Sequence, residues 1–272
     1  MHPTMLMPAL EPLLGRTLVV VAHADDEVVG CGALLQRMRE PVVIFCTDGA
    51  PRDEWFWRRF GSRDQYAELR RDEARKALSE IKAPAPLFLV DATGHSFVDQ
   101  ELFRFLRQAF EALAAILRER QPEALLTLAY EGGHPDHDAA CFLSAQLGKE
   151  FGLPVWEFPL YHRSADGQGV KQTFPFEDGN DFVLQPSADE VEGKRRMLAS
   201  YASQGDIVSA FDIHLERFRP LGAYDFSRPP LSGILNYEAW QWQVTGGEVA
   251  EAFASFMQRG ARQSGQMTLH ER

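Results

Sequence analysis

The chain has 272 residues, of which 45% are apolar and 25% charged, which excludes a disordered or fibrous protein and suits one large domain around a single core. Lys and Arg number 28 against 39 Asp and Glu, a net charge of −11 that repels phosphate backbones and excludes nucleic acid as a main partner. Three scattered cysteines, Cys31, Cys46 and Cys141, form no CxxC pair. They read as small buried side chains in a reducing compartment, not as disulfides or thiolate zinc ligands. The opening MHPTMLMPALEPLLG has no basic start and no long apolar run, so neither a signal peptide nor a membrane span is expected and a cytoplasmic soluble protein is the expected setting.

Residues 17–22 (TLVVVA) are apolar and rich in β-branched side chains, the pattern of a strand covered on both faces. A helix follows over 27–39, then a second strand at 42–47 (VVIFCT), a helix at 62–81, and a third strand at 87–90 (LFLV). A long helix over 100–120 has an apolar face of Leu102, Phe103, Leu106, Phe110, Leu113 and Leu117. The fourth strand is 124–128 (ALLTL), followed by a helix at 137–150 and a fifth strand at 155–160. This alternation predicts an α/β fold, a Rossmann-like three-layer sandwich with a mostly parallel sheet. In the second half, residues 170–174 and 181–185 flank Pro175, Gly179 and Asn180 and predict a β-hairpin. Helices at 187–201 and 247–259 and a proline-rich loop at 218–230 complete the pattern. The organisation expected is an N-terminal arm at 1–14, one domain at 15–262 with 165–262 as a C-terminal elaboration, and a flexible tail at 263–272.

Ligands in an open parallel sheet collect at the carboxyl ends of the strands. There, directly after the first strand, stands Ala22-His23-Ala24-Asp25-Asp26-Glu27. Four titratable groups in five residues repel one another when desolvated, and a cation relieves that repulsion. The simpler reading is that an aspartate caps the next helix and the others are solvated. Gly30-Cys31-Gly32 invites a dinucleotide-binding reading, but Leu35 stands where the third glycine belongs, so close helix packing is the better explanation. After the fourth strand comes Tyr130-Glu131-Gly132-Gly133-His134-Pro135-Asp136-His137. A catalytic zinc takes three His or Asp/Glu ligands and leaves one position for water. His23, Asp26 and His137 supply such a set, with Asp25 and His134 left to support those ligands or to act in catalysis.

The HADDE segment at 23–27 and the GGHPDH segment at 132–137 resemble the LmbE-like, PIG-L family of zinc-dependent de-N-acetylases. The family's first motif usually reads AHPDDE, so Ala24 stands in for a proline without removing a ligand. Thr47-Asp48-Gly49, Arg70-x-x-Glu73, and Lys194 with Ser203-Gln204 are weaker matches, and the resemblance spans about 17–205. It implies zinc ligation by His23, Asp26 and His137, Asp25 as general base, His134 as electrophile or acid, and Asp136 orienting His134. It further implies removal of acetyl from an N-acetylglucosaminyl conjugate.

For substrate contacts the candidates are Trp55, Arg58, Arg59 and Arg70. The aromatics of 55–60 either stack on a sugar or pack their loop down, and the arginines either hold an anion or are solvated. Arg70 and Glu73 alternatively form a surface ion pair. Tyr237, Trp240 and Trp242 read as core or interface, and His95, after the third strand, as exposed or else facing the site. Hydrolysis of another bond such as a phosphoester, and a non-catalytic carbohydrate-binding protein, are the competing functions. Iron can replace zinc on such ligands, and a homo-oligomer is compatible with the chain.

Overall fold

The computed structural model describes residues 10–177 and 179–270, with side chains described up to residue 259. Nine strands are assigned among them. These are β1 (Thr17–Val21), β2 (Val42–Phe45), β3 (Leu87–Phe88), β4 (Ala124–Leu128), β5 (Val155–Phe158), β6 (Tyr161–Arg163), β7 (Gly169–Lys171), β8 (Phe182–Leu184) and β9 (Glu216–Pro220). The helices are α1 (Asp26–Leu35), α2 (Arg63–Ser79), α3 (Leu89–Thr93), α4 (Leu106–Arg120), α5 (Pro135–Phe151), α6 (Ala188–Ala199), α7 (Gly205–Val208), α8 (Asn236–Ala239) and α9 (Gly246–His270).

Seven strands form one sheet in the order β3-β2-β1-β4-β5-β9-β8. The first five are parallel, whereas β9 runs antiparallel to both β5 and β8. Side chains alternate across the sheet, so each strand feeds two cores. Val19, Val21, Phe45 and Leu126 pack with Leu34, Ala77, Leu78 and Met197 of the helices on one face. Leu18, Val20, Ile44 and Leu125 pack with Leu113, Leu117, Phe142 and Phe253 on the other. The expected α/β sandwich with a mostly parallel sheet is therefore the observed one.

From β1 the chain moves outward through β2 and β3, then returns to the opposite side of β1 as β4. The crevice at the carboxyl ends of β1 and β4 is the switch point where ligands of such sheets bind. His23 follows β1, and His134 and His137 follow β4.

Helix α1 breaks at Cys31, whose φ of −143° and ψ of 23° are not helical. Its second half is capped by Glu216 of β9, which accepts from Ala33 N at 2.7 Å and Leu34 N at 3.0 Å and pairs with the buried Lys194 Nζ at 2.7 Å. Gly30 sits against Phe158 so closely that a Cβ there would be 2.1 Å from the ring, which bears out close packing as the role of this glycine. All three cysteines are buried and free.

Several elements differ from the expectations. Residues 170–174 do not pair with 181–185: β7 forms its hairpin with β6, and β8 pairs with β9. Residues 218–220, assigned to a loop from sequence, belong to β9, where the buried charges Glu216 and Arg219 hide the apolar signature of a strand. Only Leu87–Phe88 of the third strand is paired, and Leu89 already begins α3. In the N-terminal arm Leu10 and Leu13 are buried, while residues 1–9 lie outside the described part. Helix α9 is assigned through His270, across most of the stretch expected as a tail. No helix among the described residues is long and apolar enough to cross a membrane.

Candidate metal and active site

The turn between β1 and α1 brings His23, Asp25 and Asp26 to the switch point. Asp26 accepts from the His23 amide at 2.8 Å, which fixes its carboxylate against the turn. Asp25 adopts φ 137°, a strained value for a side-chain-bearing residue. Glu27 braces that backbone by accepting from the Asp25 amide at 3.1 Å, and Tyr201 donates its hydroxyl to the other Glu27 oxygen. Burial pushes the Glu27 carboxyl up to about 8. Across the crevice, Gly132 at φ 70° and Gly133, whose Cβ would lie 2.0 Å from the Tyr161 carbonyl oxygen, let the chain turn tightly into α5. His134 caps that helix: its Nδ1 accepts from the Asp136 amide at 3.1 Å.

The result is one buried cluster. His23 Nδ1 and His137 Nε2 are 3.3 Å apart, His137 Nε2 lies 3.2 Å from Asp26 Oδ1, and His23 Nδ1 lies 3.5 Å from Asp26 Oδ2. Ligands at ~2.0–2.1 Å around a tetrahedral ion stand about 3.3 Å from one another. The three contacts are near that spacing, the two imidazoles meeting different oxygens of the Asp26 carboxylate, and these residues fit a divalent metal once one oxygen turns between the rings. The three imidazoles of His23, His134 and His137 also converge, as do His23, Asp99, His134 and Asp136, each set with atoms within 4.8 Å. The free nitrogen of His23, Nε2, faces Asp136 at 3.2 Å and Asp99 at 3.3 Å, the carboxylate backing that metal-binding histidines usually have.

The charges are interdependent. Burial opposes the charged form of His23, but Asp99, Asp136 and Asp26 together raise its pKa well above the ordinary value. Asp26 is held well below the usual carboxylate range, burial being outweighed by His137 and His23. Asp25 is pushed up to about 6 by burial, against the opposing pull of Arg70. His134 is lowered by burial and by neighbouring His23, which keeps it neutral, with Nδ1 as acceptor and Nε2–H directed at Asp99 Oδ1, 3.3 Å away.

Asp136, expected to orient His134, meets it through its backbone amide, and its carboxylate serves other groups. Its carboxylate accepts from Gln100 N at 2.6 Å and Leu102 N at 2.9 Å and faces His23, while its backbone amide holds His134. The carboxylate that faces His134 Nε2 is Asp99, which carries no sequence signal because it lies in an ordinary loop after α3. That loop is tied down by Asp48 of the Thr47-Asp48-Gly49 segment, which accepts from Arg63, Ser96 and Ala50 N.

The cluster opens into a cavity of about 690 Å³. Trp55 and Arg70 line it, whereas Arg58 and Arg59 do not. Arg59 instead donates to the Ser203 carbonyl at 3.2 Å and covers the Phe60 ring, and the Trp57 indole donates to Pro51 O at 3.0 Å, so this part of the loop packs down. Arg70 and Glu73 are buried and do not pair with each other: Arg70 serves Asp25 and Ala24, and Glu73 accepts from Ser203 N at 2.8 Å. Tyr237 is core as expected, but Trp242 lies 4.9 Å from the His134 ring and, with Trp240, forms a cavity wall. His95, expected to be exposed, packs between Phe97 and Phe105 away from the cavity.

Fold and site together define a Rossmann-like α/β protein with a candidate metal centre at the switch point of its sheet. Residues 18–147 match the family model PIG-L, GlcNAc-PI de-N-acetylase. A stretch of 142 residues is 33% identical to the 1D-myo-inositol 2-acetamido-2-deoxy-alpha-D-glucopyranoside deacetylase of Mycobacterium tuberculosis (strain ATCC 25618 / H37Rv), covering 45% of this chain and 47% of that protein. The chain spans about half the length of the curated relatives it matches. Among solved structures, a deacetylase of the teicoplanin biosynthetic pathway superposes with a TM-score of 0.61 at 21% identity, over 77% of this chain and 99% of that one. The N,N'-diacetylchitobiose deacetylase from Pyrococcus horikoshii gives 0.55 at 16%, over 80% and 87%. These two share the fold.

Proposed function

We propose that the protein is a metal-dependent hydrolase that removes acetyl from an N-acetylglucosaminyl-type conjugate, releasing acetate and a free amine. The observation that carries this reading is the triangle of His23, Asp26 and His137, with Asp25 and His134 beside it at the floor of one cavity. His23, Asp26 and His137 would hold zinc, or iron in its place. Such an ion supplies a water whose pKa is lowered toward ~7 and polarises the amide carbonyl.

The chain's own groups account for the proton traffic. Asp25, its carboxyl lifted by burial to about 6, takes a proton from the attacking water as the new C–O bond forms at the acetamide carbon. His134, neutral and bearing its one proton on Nε2, shares that N–H between Asp99 and the carbonyl oxygen as charge builds there, an effect worth ~3 kcal/mol for a well-placed donor. Asp99 aims that imidazole and Asp136 aims His23. The C–N bond then breaks as the nitrogen receives the proton held by Asp25, giving amine and acetate. Trp55, Trp240 and Trp242 offer aromatic faces on which a sugar ring can stack.

Acetate release from N-acetylglucosamine and its glycosides tests the reading. Turnover that stops with a chelator and returns with zinc supports it. Release of no acetate from any of them by zinc-loaded protein overturns it.

A further inference from the structure

The β6–β7 hairpin carries two cations toward the cavity. Tyr161 and Arg163 are two residues apart on β6 and share a face. The pairings Tyr161 with Lys171 and Arg163 with Gly169 put Lys171 on that same face. This face looks into the site, because the Tyr161 ring lies 5.3 Å from the His137 ring, and Arg163 and Lys171 both line the cavity. Arg163 is half-buried, reaching over Gly167 at the turn, and among the described residues its guanidinium has neither a hydrogen bond nor an ion pair. Lys171 Nζ donates to the Ala210 carbonyl at 3.3 Å and lies 5.2 Å from the Phe211 ring centre, with no carboxylate partner among the described residues. Opposite Arg163 there is open space: a Cβ on Gly169 would meet nothing within 4 Å.

The chain has 39 acidic side chains, and among the described residues most arginines pair with one. Half-burial strips part of the water from Arg163, which an anionic ligand can replace, while the exposed Lys171 stays solvated beside it. The lining of the cavity holds both signs of charge, Asp25, Asp26 and Asp99 with Arg70 beside Asp25, and Arg163 and Lys171 from the hairpin. We propose that the Arg163–Lys171 face of the hairpin is a subsite for an anionic group, phosphate or carboxylate, carried by the substrate beyond its N-acetylated sugar. The guanidinium fork suits two oxygens of either group, and the lysine adds a point charge. The assignment rests on the amide-hydrolase reading of the cavity and narrows its substrate class.

The test compares metal-loaded wild type with Arg163→Gln/Lys171→Gln on three N-acetylglucosaminides: a neutral methyl glycoside, one with a phosphate on its aglycone and one with a carboxylate. The subsite predicts kcat/KM at least about tenfold higher for one anionic substrate at low salt, the scale of one charge-assisted hydrogen bond. It predicts that the preference falls with added NaCl and approaches unity in the double variant, with metal content unchanged. Whichever anion is preferred identifies the group. Equal rates on all three substrates, or a preference that survives in the double variant (an anion held by the metal), overturn the subsite while leaving amide hydrolysis standing. If none of the three is hydrolysed, binding of the deacetylated methyl and phosphorylated glycosides, followed by tryptophan fluorescence, decides the matter separately. Tighter phosphorylated binding that the double variant loses supports the subsite, and equal binding overturns it.

Discussion

Arg70 donates to the Ala24 carbonyl at 2.7 Å, and the same nitrogen lies 3.4 Å from the Asp25 carboxylate. One buried guanidinium therefore holds both the backbone of the strained turn and the charge of the proposed base. Burial lifts Asp25 to about 6, and Arg70 restrains that rise. Asp25 works only when deprotonated, so activity is lost as pH falls through its pKa. The acid limb of kcat/KM is expected at or below about pH 6, since a bound cation also favours the carboxylate. Arg70→Met should move that limb upward by about one unit or more, the usual effect of removing a close opposite charge, and Arg70→Lys should restore part of the shift. A pH–rate profile of both variants checks this.

Asp25 and His137 are expected to separate chemistry from metal binding. Asp25→Ala should keep near-normal metal content and lose about 10²–10⁴-fold in kcat, the range for a missing general base. His137→Ala should lose the metal itself. Elemental analysis alongside acetate release distinguishes the two, and full activity in Asp25→Ala removes that residue from the base role.

Asp136→Asn tests the reassigned carboxylate. Because Asp136 faces His23 Nε2 at 3.2 Å, its loss should weaken metal affinity about 10–100-fold, the cost typical of removing such backing. A side chain serving His134 would instead lower kcat at unchanged affinity. Metal titration against a competing chelator reads the difference.

Lys194 is fully buried on Glu216, which caps the broken helix α1. Lys194→Met leaves that carboxylate buried without its cation and should cost about 3–5 kcal/mol. The midpoint of urea unfolding measures it.

Much of this arrangement is legible in the chain itself. The parallel strands announce themselves as uninterrupted apolar runs, and HADDE and GGHPDH mark the two ends that meet at the switch point. Asp99 is harder to find, and Arg70 stands out in the sequence only as a candidate substrate contact or surface ion pair, not as the partner of Asp25. Asp99 reaches His23 and His134 through a loop whose path depends on Asp48, a contact between segments that no local pattern encodes. Arg70 lies on an ordinary charged helix, and only packing of α2 against the β1 turn buries it. The β8–β9 pairing is hidden for a related reason: Glu216 and Arg219 are paired ions in the interior, so the strand lacks the apolar alternation that would reveal it. Trp240 and Trp242 read as core because an aromatic in a cavity wall and one in a core look alike in sequence.

The most direct test of the metal site is anomalous diffraction at the zinc edge from crystals of zinc-loaded protein. One peak within ~2.0–2.2 Å of His23 Nδ1, His137 Nε2 and an Asp26 oxygen is the expected result. A zinc ion bound elsewhere, or no peak between these three side chains, would contradict the account.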